Sequence, residues 1–380
     1  MKQTIQELLQ VENKDLDWLK TALQSAVELE FSTIPPYLTA VWSIKDASND
    51  CYAIINGIVV EEMLHMGLAC NMLATLGVTP QIDNPEFIPA YPGKLPHHVL
   101  PKLTVSLQAF SANAVENTFM VIETPENPLA VVPKEDDTAR AADAETGGRR
   151  RMILVKPTEA EAAIANNSAS PAPGAPYVPP SSFATIGLFY DAILEVFQEQ
   201  PASVFTGQNQ LVKAGWGLIA INNIQNVETA INTIKEQGEG TATSPYDLPD
   251  TTDPDDLAHY YKFGETFYGF EFVNENGTWG WQGAAISIPG SADIYPVGVL
   301  PAGGYPDEQS VQTFDQAFSQ VLAQLESAWA NGDLNTLNDA INAMGDLTTQ
   351  AVAIMQTEIP NSNPQQNYAP DFKYIPPSAR

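Results

Sequence analysis

Glu62 and His65 sit where a helix of this sequence keeps its apolar side. Ile55, Ile58, Glu62, His65, Ala69, Met72 and Leu76 recur at steps of three and four, the inward stripe of an amphipathic helix running from about Asn49 to Leu76 and stopped by Gly77. Burying an unpaired carboxylate costs several kcal/mol, so a chain that turns one inward must also supply its partner. A metal ion suits a Glu and a His one helical turn apart, and that requirement restricts the fold more than any compositional figure does.

A second stripe lies upstream, through Leu19, Leu23, Ala26, Glu30, Thr33 and Tyr37. At about 100° per residue Glu28 falls about 200° from Glu30 and faces away. Pro35-Pro36 is expected to break or kink this helix. Glu30 alone reads equally as a boundary residue reaching solvent. Together with Glu62 and His65 it makes one half of a dimetal site, because Glu-x-x-His is the pair that di-iron and di-manganese four-helix bundles project into their cores.

The 380 residues, 44% of them hydrophobic, suffice for a large core. Forty-six acidic residues against 17 basic ones give a formal charge of −29, which argues against nucleic acid or an anionic membrane as partner. Arg149-Arg150-Arg151 is the one basic run and reads as solvated linker. Cys51 and Cys70 form no framework and read as small core residues. With no apolar segment at the N-terminus and no run of about 18 apolar residues, the expectation is a cytoplasmic protein with no membrane span.

Along the chain, Asn13 or Asp15 is placed to cap the helix carrying Glu30. Residues 79–102 are proline-rich, and His97-His98 there reads as a surface pair, since adjacent histidines point apart. A helix is expected over Leu103–Glu123. Residues 124–182 look like a low-complexity insertion joining two parts of the core. Helical patterning returns over about 185–198 and 226–237, the second ending at Gly238. Residues 241–310 form a mixed region with one hairpin signal, Asn276-Gly277 between β-favouring residues. Two amphipathic helices, 310–330 and 334–358, precede a polar tail from Pro360.

For the second half of the site, Val227, Ile231 and Ile234 mark an inward face and Glu236 looks outward. Glu239 lies between glycines that let it swing inward, although a solvated Glu after a helix stop is an equal reading. Of the four histidines, His259 is the best candidate for an opposite metal, against the alternative of a structural residue.

Six segments in order resemble one family: Glu28-Leu-Glu30 to Leu38, Glu61-Glu-Met-Leu-His65, Tyr91 to Pro96, Thr185 to Tyr190, Gln237 to Gly240 and His259 to Phe263. They resemble the ferritin-like superfamily, and within it the ferritin-like domain of iminophenyl-pyruvate dimer synthases, over about residues 10–270. The resemblance implies an all-α, ferritin-like four-helix bundle with long Pro-rich loop insertions, a small β-hairpin and two extra C-terminal helices. Its domains would be 1–240 (bundle), 241–310 (loop and hairpin), 311–360 (helical pair) and 361–380 (tail). It implies two ions, iron or manganese, with zinc conceivable as purified, held by Glu30, Glu62, His65, Glu239 and His259. It implies oxidation of a small organic substrate of the arylpyruvate-imine type, and a homo-oligomer is compatible with it. Leu188 stands where that family commonly has a Glu, so either Glu195, seven residues on, substitutes, or the site is depleted to one metal. Iron storage and a metal-free scaffold are the competing readings.

Overall fold

The computed structural model describes residues 3–125, 130–135, 149–155, 186–240, 245, 246, 256–298, 300, 301, 303–305 and 308–380. After a short α1 (Ile5–Leu9), α2 (Leu16–Ser43) and α3 (Asp50–Thr75) form the longest packed pair. Asp15 caps α2, its carboxylate accepting from the amides of Asp17 and Trp18, and Asn49 caps α3. Gly77, at φ 74°, ends α3 in the left-handed region that glycine enters without penalty.

Pro35 and Pro36 lie inside α2, which continues to Ser43, so the expected break does not occur. Proline removes an N–H and so orphans the carbonyl four residues earlier. Here the Tyr91 hydroxyl donates to the Ser32 carbonyl at 2.8 Å and supplies the bond that Pro36 cannot. The helix is thus continued by a side chain remote in sequence.

α5 (Ile186–Glu199) and α6 (Ile224–Glu239) pack on each other; α5 also packs on α2 and α6 on α3, which closes a ring of four helices. A broken helix, α4, consists of Ala112–Ala114, a π turn Val115–Phe119 and Met120–Ile122. The helix expected from Leu103 begins only at Ala112, because Val105 is bridged to Gly93 by two backbone hydrogen bonds of 2.8 and 2.9 Å. α7 (His259–Tyr268) packs against α3, α4 and α6.

A four-stranded antiparallel sheet, order β1-β2-β4-β3, lies beside α7. Its strands are β1 (Ala130–Pro133), β2 (Met152–Val155), β3 (Phe270–Glu275) and β4 (Thr278–Ala285). The hairpin turns at Asn276-Gly277, both with φ above 50°. The sheet is larger than the single hairpin expected: β1 and β2 come from the stretch read as linker, of which residues 126–129, 136–148 and 156–182 lie outside the described residues. The basic run is not simply solvated either, since the Arg151 guanidinium lies 4.9 Å from the Phe270 ring centre. Trp281 packs flat enough on α7 that a Cβ at Gly264 would sit 2.1 Å from its ring.

α8 (Gln309–Asn331) and α9 (Leu334–Met355) form the C-terminal hairpin, turning at Gly332, and contact α3 and α2 respectively. The irregular tail returns to the core, where Phe372 packs among Trp42, Phe314 and Phe318. By length and composition α3 is apolar enough to cross a membrane, but 56% of its most apolar window is buried within the protein.

Candidate metal centre

Five buried side chains from four helical elements converge at one point. α2 contributes Glu30, α3 contributes Glu62 and His65, Glu123 follows α4 directly, and His259 opens α7; none is more than 8% exposed. Glu30, Glu62 and His65 form one group that could hold a metal ion, and Glu62, Glu123 and His259 form another, with ligand atoms in each within 4.8 Å of one another. Glu62 belongs to both. The imidazoles of His65 and His259 stack with centroids 5.4 Å apart.

Both rings present the same nitrogen to the centre. His65 Nδ1 lies 3.6 Å from Glu30 Oε2 and 3.8 Å from Glu62 Oε1. His259 Nδ1 lies 2.9 Å from Glu62 Oε1 and 3.5 Å from Glu123 Oε2. The opposite nitrogens are held from behind. His65 Nε2 donates to the Gln237 side-chain oxygen at 2.8 Å, and His259 Nε2 donates to Glu61 Oε2 at 2.9 Å. A proton fixed on Nε2 leaves the inward Nδ1 lone pair free, the arrangement by which proteins orient metal-binding histidines.

The carboxylates are oriented too. Tyr190 donates to Glu30 Oε1 and Tyr37 to Glu123 Oε1, each at 2.5 Å, and the Thr33 hydroxyl donates to Glu62 Oε2 at 2.8 Å. Lys262 donates to both Glu61 oxygens at 2.9 Å. Burial pushes Glu61 up, but the bonds and charges of His259 and Lys262 outweigh it and hold its carboxyl at about 2. Burial and the Glu123 charge push Glu62 up. Burial disfavours a charged His259, yet the carboxylates of Glu123, Glu61 and Glu62 raise it well above the usual imidazole range. Burial and the neighbouring carboxylates likewise push the Tyr37 and Tyr190 hydroxyls far up, so both stay protonated donors.

The residues fit a metal. Despite its 2.9 Å approach to Glu62, His259 Nδ1 is buried with no acceptable hydrogen-bond partner; the nitrogen points at a position that a cation, in place of a proton, would satisfy. Metal–ligand bonds of about 2.0–2.2 Å place opposite ligands about 4 Å apart, within the observed spread. A thiolate-free set of carboxylates and imidazoles suits iron or manganese.

Among the sequence candidates, Glu30, Glu62, His65 and His259 are brought together. Glu195 is not: it is exposed on α5, as is Leu188 at 47%. The two do share a helical face, but it is the solvent face; Gly187 and Tyr190 turn inward instead. Leu188 therefore subtracts nothing from the cluster. The side chain of Glu239, at the end of α6, lies outside the described residues, while Gln237 and Gly238 reach the site. Glu123 was missed. Val115, Phe119 and Glu123 are spaced by four and all buried, but the π turn Val115–Phe119 departs from the 3.6-residue period by which a helix is read from sequence. His97 is a correction as well: it is buried, its Nε2 donates to Glu28 Oε2 at 2.8 Å, and only His98 is exposed.

A cavity of about 70 Å³ adjoins the cluster, walled by Val99, Leu100, Val121, Ile122, Ile186 and Ile234, with Lys235 at its edge paired to Asp191. It has room for a few water-sized molecules.

Residues 23–268 match the family model "Ferritin-like", and the chain belongs to that family. Among solved structures it is similar to a ferritin-like protein from Caulobacter vibrioides, with a TM-score of 0.56 and 20% identity over 90% of this chain and 96% of that one. No curated protein matches it.

Proposed function

We propose that this chain is a dimetal-carboxylate oxidoreductase, binding two iron or manganese ions and oxidising a small organic substrate. The observation that carries the reading is the presence of Glu62 in both clusters, with the two Nδ1 atoms aimed inward and their back sides held. Glu30 and His65 would hold one ion, Glu123 and His259 the other, and Glu62 would be shared. When bound, the ions supply redox chemistry toward dioxygen or peroxide, with the organic substrate as reductant.

The chain's own residues prepare that chemistry. Gln237 and Glu61 set the ring orientations and Lys262 keeps Glu61 ionised. Tyr37, Tyr190 and Thr33 pin the carboxylates. The apolar walls around the 70 Å³ cavity limit water at the site. The resemblance to iminophenyl-pyruvate dimer synthases makes an arylpyruvate imine the substrate class to try first. An expected homo-oligomer, and the absence of nucleic-acid and membrane partners, accompany this reading as proposals.

The test is dioxygen consumption by Fe(II)- or Mn(II)-loaded protein given an arylpyruvate with ammonia. Substrate-dependent uptake with an oxidised organic product, lost in Glu123→Ala, supports the proposal. Metal oxidation without any organic product sinks it in favour of iron handling.

A further inference from the structure

A second, larger cavity of about 250 Å³ lies on the other side of α2 and α3, beneath the C-terminal hairpin. It shares no ligand residue with the metal cluster. Its walls are almost wholly apolar, among them Phe31, Trp42, Met63, Phe318, Trp329 and Met344. An apolar cavity of 150 Å³ stays dry and binds benzene, so a larger one is a site for an apolar ligand. Methionines on two facing helices let such walls adapt.

The shape narrows the class. The lining runs from Phe31 to Trp42 on α2, Asn56 to Gly67 on α3, Phe318 to Trp329 on α8 and Leu337 to Thr348 on α9. Each span is twelve residues, and its eleven rises of 1.5 Å give about 16 Å. A lining of that length accommodates one extended alkyl chain.

Its polar groups are unevenly placed. Lys213 stands at the end where α9 begins: its ammonium donates to Asn338 Oδ1 at 2.8 Å and lies 4.9 Å from the ring centre of Trp216, which is 43% exposed. No carboxylate among the described residues pairs with it, although the chain has 46 acids. A cation at one end of an elongated apolar slot complements a carboxylate on an alkyl chain.

We propose that this slot binds a medium-chain fatty acid, its alkyl chain between the α2/α3 pair and the α8/α9 hairpin and its carboxylate at Lys213. The probes are decanoate and the neutral decanol, titrated calorimetrically into the full chain. One equivalent of decanoate should bind saturably. Lys213→Met should weaken decanoate about tenfold and leave decanol unchanged. Val321→Phe, which fills the slot, should weaken both about tenfold or more; Gly345→Leu does the same from the α9 wall, where a Cβ meets nothing within 4 Å, and serves if the first variant misfolds. The proposal is overturned if decanoate shows no saturable binding at 1 mM, or if it binds no better than decanol and ignores Lys213→Met. Concentration-dependent dimerisation that buries the slot and is indifferent to decanoate would likewise assign the surface to a second copy of the chain.

Discussion

Glu61→Gln removes a charge behind the metal centre while keeping the side chain's shape. In the parent, Glu61 accepts from His259 Nε2 and from Lys262, all at 2.9 Å. An uncharged amide would hold the imidazole less firmly and make Nδ1 a weaker donor. Loss of such an outer partner typically costs 10–100-fold in metal affinity, about 1.4–2.7 kcal/mol. The substitution also strands the Lys262 ammonium, whose side chain is 10% exposed. Breaking a buried pair costs about 3–5 kcal/mol, and because Glu61 is itself 20% exposed the loss of stability should fall at or below the lower end of that range. The two effects separate in Glu61→Gln/Lys262→Met, which removes the stranded charge. We expect the double variant to regain stability in urea denaturation and to retain the affinity loss in competitive Mn(II) titration against a chelator. A folded double variant binding manganese within about twofold of the parent, well inside the range above, would refute His259 as a ligand held through Glu61.

Glu123→Ala should abolish binding of one of the two ions, whereas Leu188→Glu, on the solvent face, should leave the metal count unchanged; elemental analysis after desalting checks both. Tyr91→Phe strands the Ser32 carbonyl that Pro36 cannot serve, and should cost about 1–3 kcal/mol in chemical denaturation; a neutral effect would mean that α2 needs no external donor there. Asp315 is held at about 9 by burial and by the adjacent Asp371 carboxyl. A folded value above the unfolded one means that its contribution is present in full below about pH 4 and is lost as pH climbs toward 9. Asp315→Asn should therefore gain stability over the parent progressively between those limits, and a gain that shrinks with rising pH would contradict the assignment.

Helices α2 and α3 and the candidate metal-binding residues they carry were legible because those polar residues interrupt long, regular apolar stripes. Glu30, Glu62 and His65 each break a three-and-four pattern that local sequence alone reveals. The other half was harder for specific reasons. Glu123 follows a π turn that inserts a residue and shifts the inward face, which no ideal 3.6-residue period anticipates. His259 was found by elimination among four histidines, because α7 is short and rich in aromatics on every side. Leu188 and Glu195 show the limit of periodicity: it places two residues on one face without saying which face is buried. The donor at the proline pair in α2 is Tyr91, 59 residues from the carbonyl it serves. β1 and β2 are four residues each and pair across a stretch whose composition resembles a linker. The outer partners Gln237 and Glu61 carry no local signature, since their role exists only once α6 and α7 have packed on α3.

Anomalous diffraction from crystals loaded with iron or manganese, collected on both sides of the absorption edge, tests the central claim most directly. We expect two peaks flanking the Glu62 carboxylate, one within bonding distance of Glu30 and His65 Nδ1 and the other of Glu123 and His259 Nδ1. An absence of signal among these five side chains in crystals of demonstrably metal-treated protein would contradict the dimetal centre.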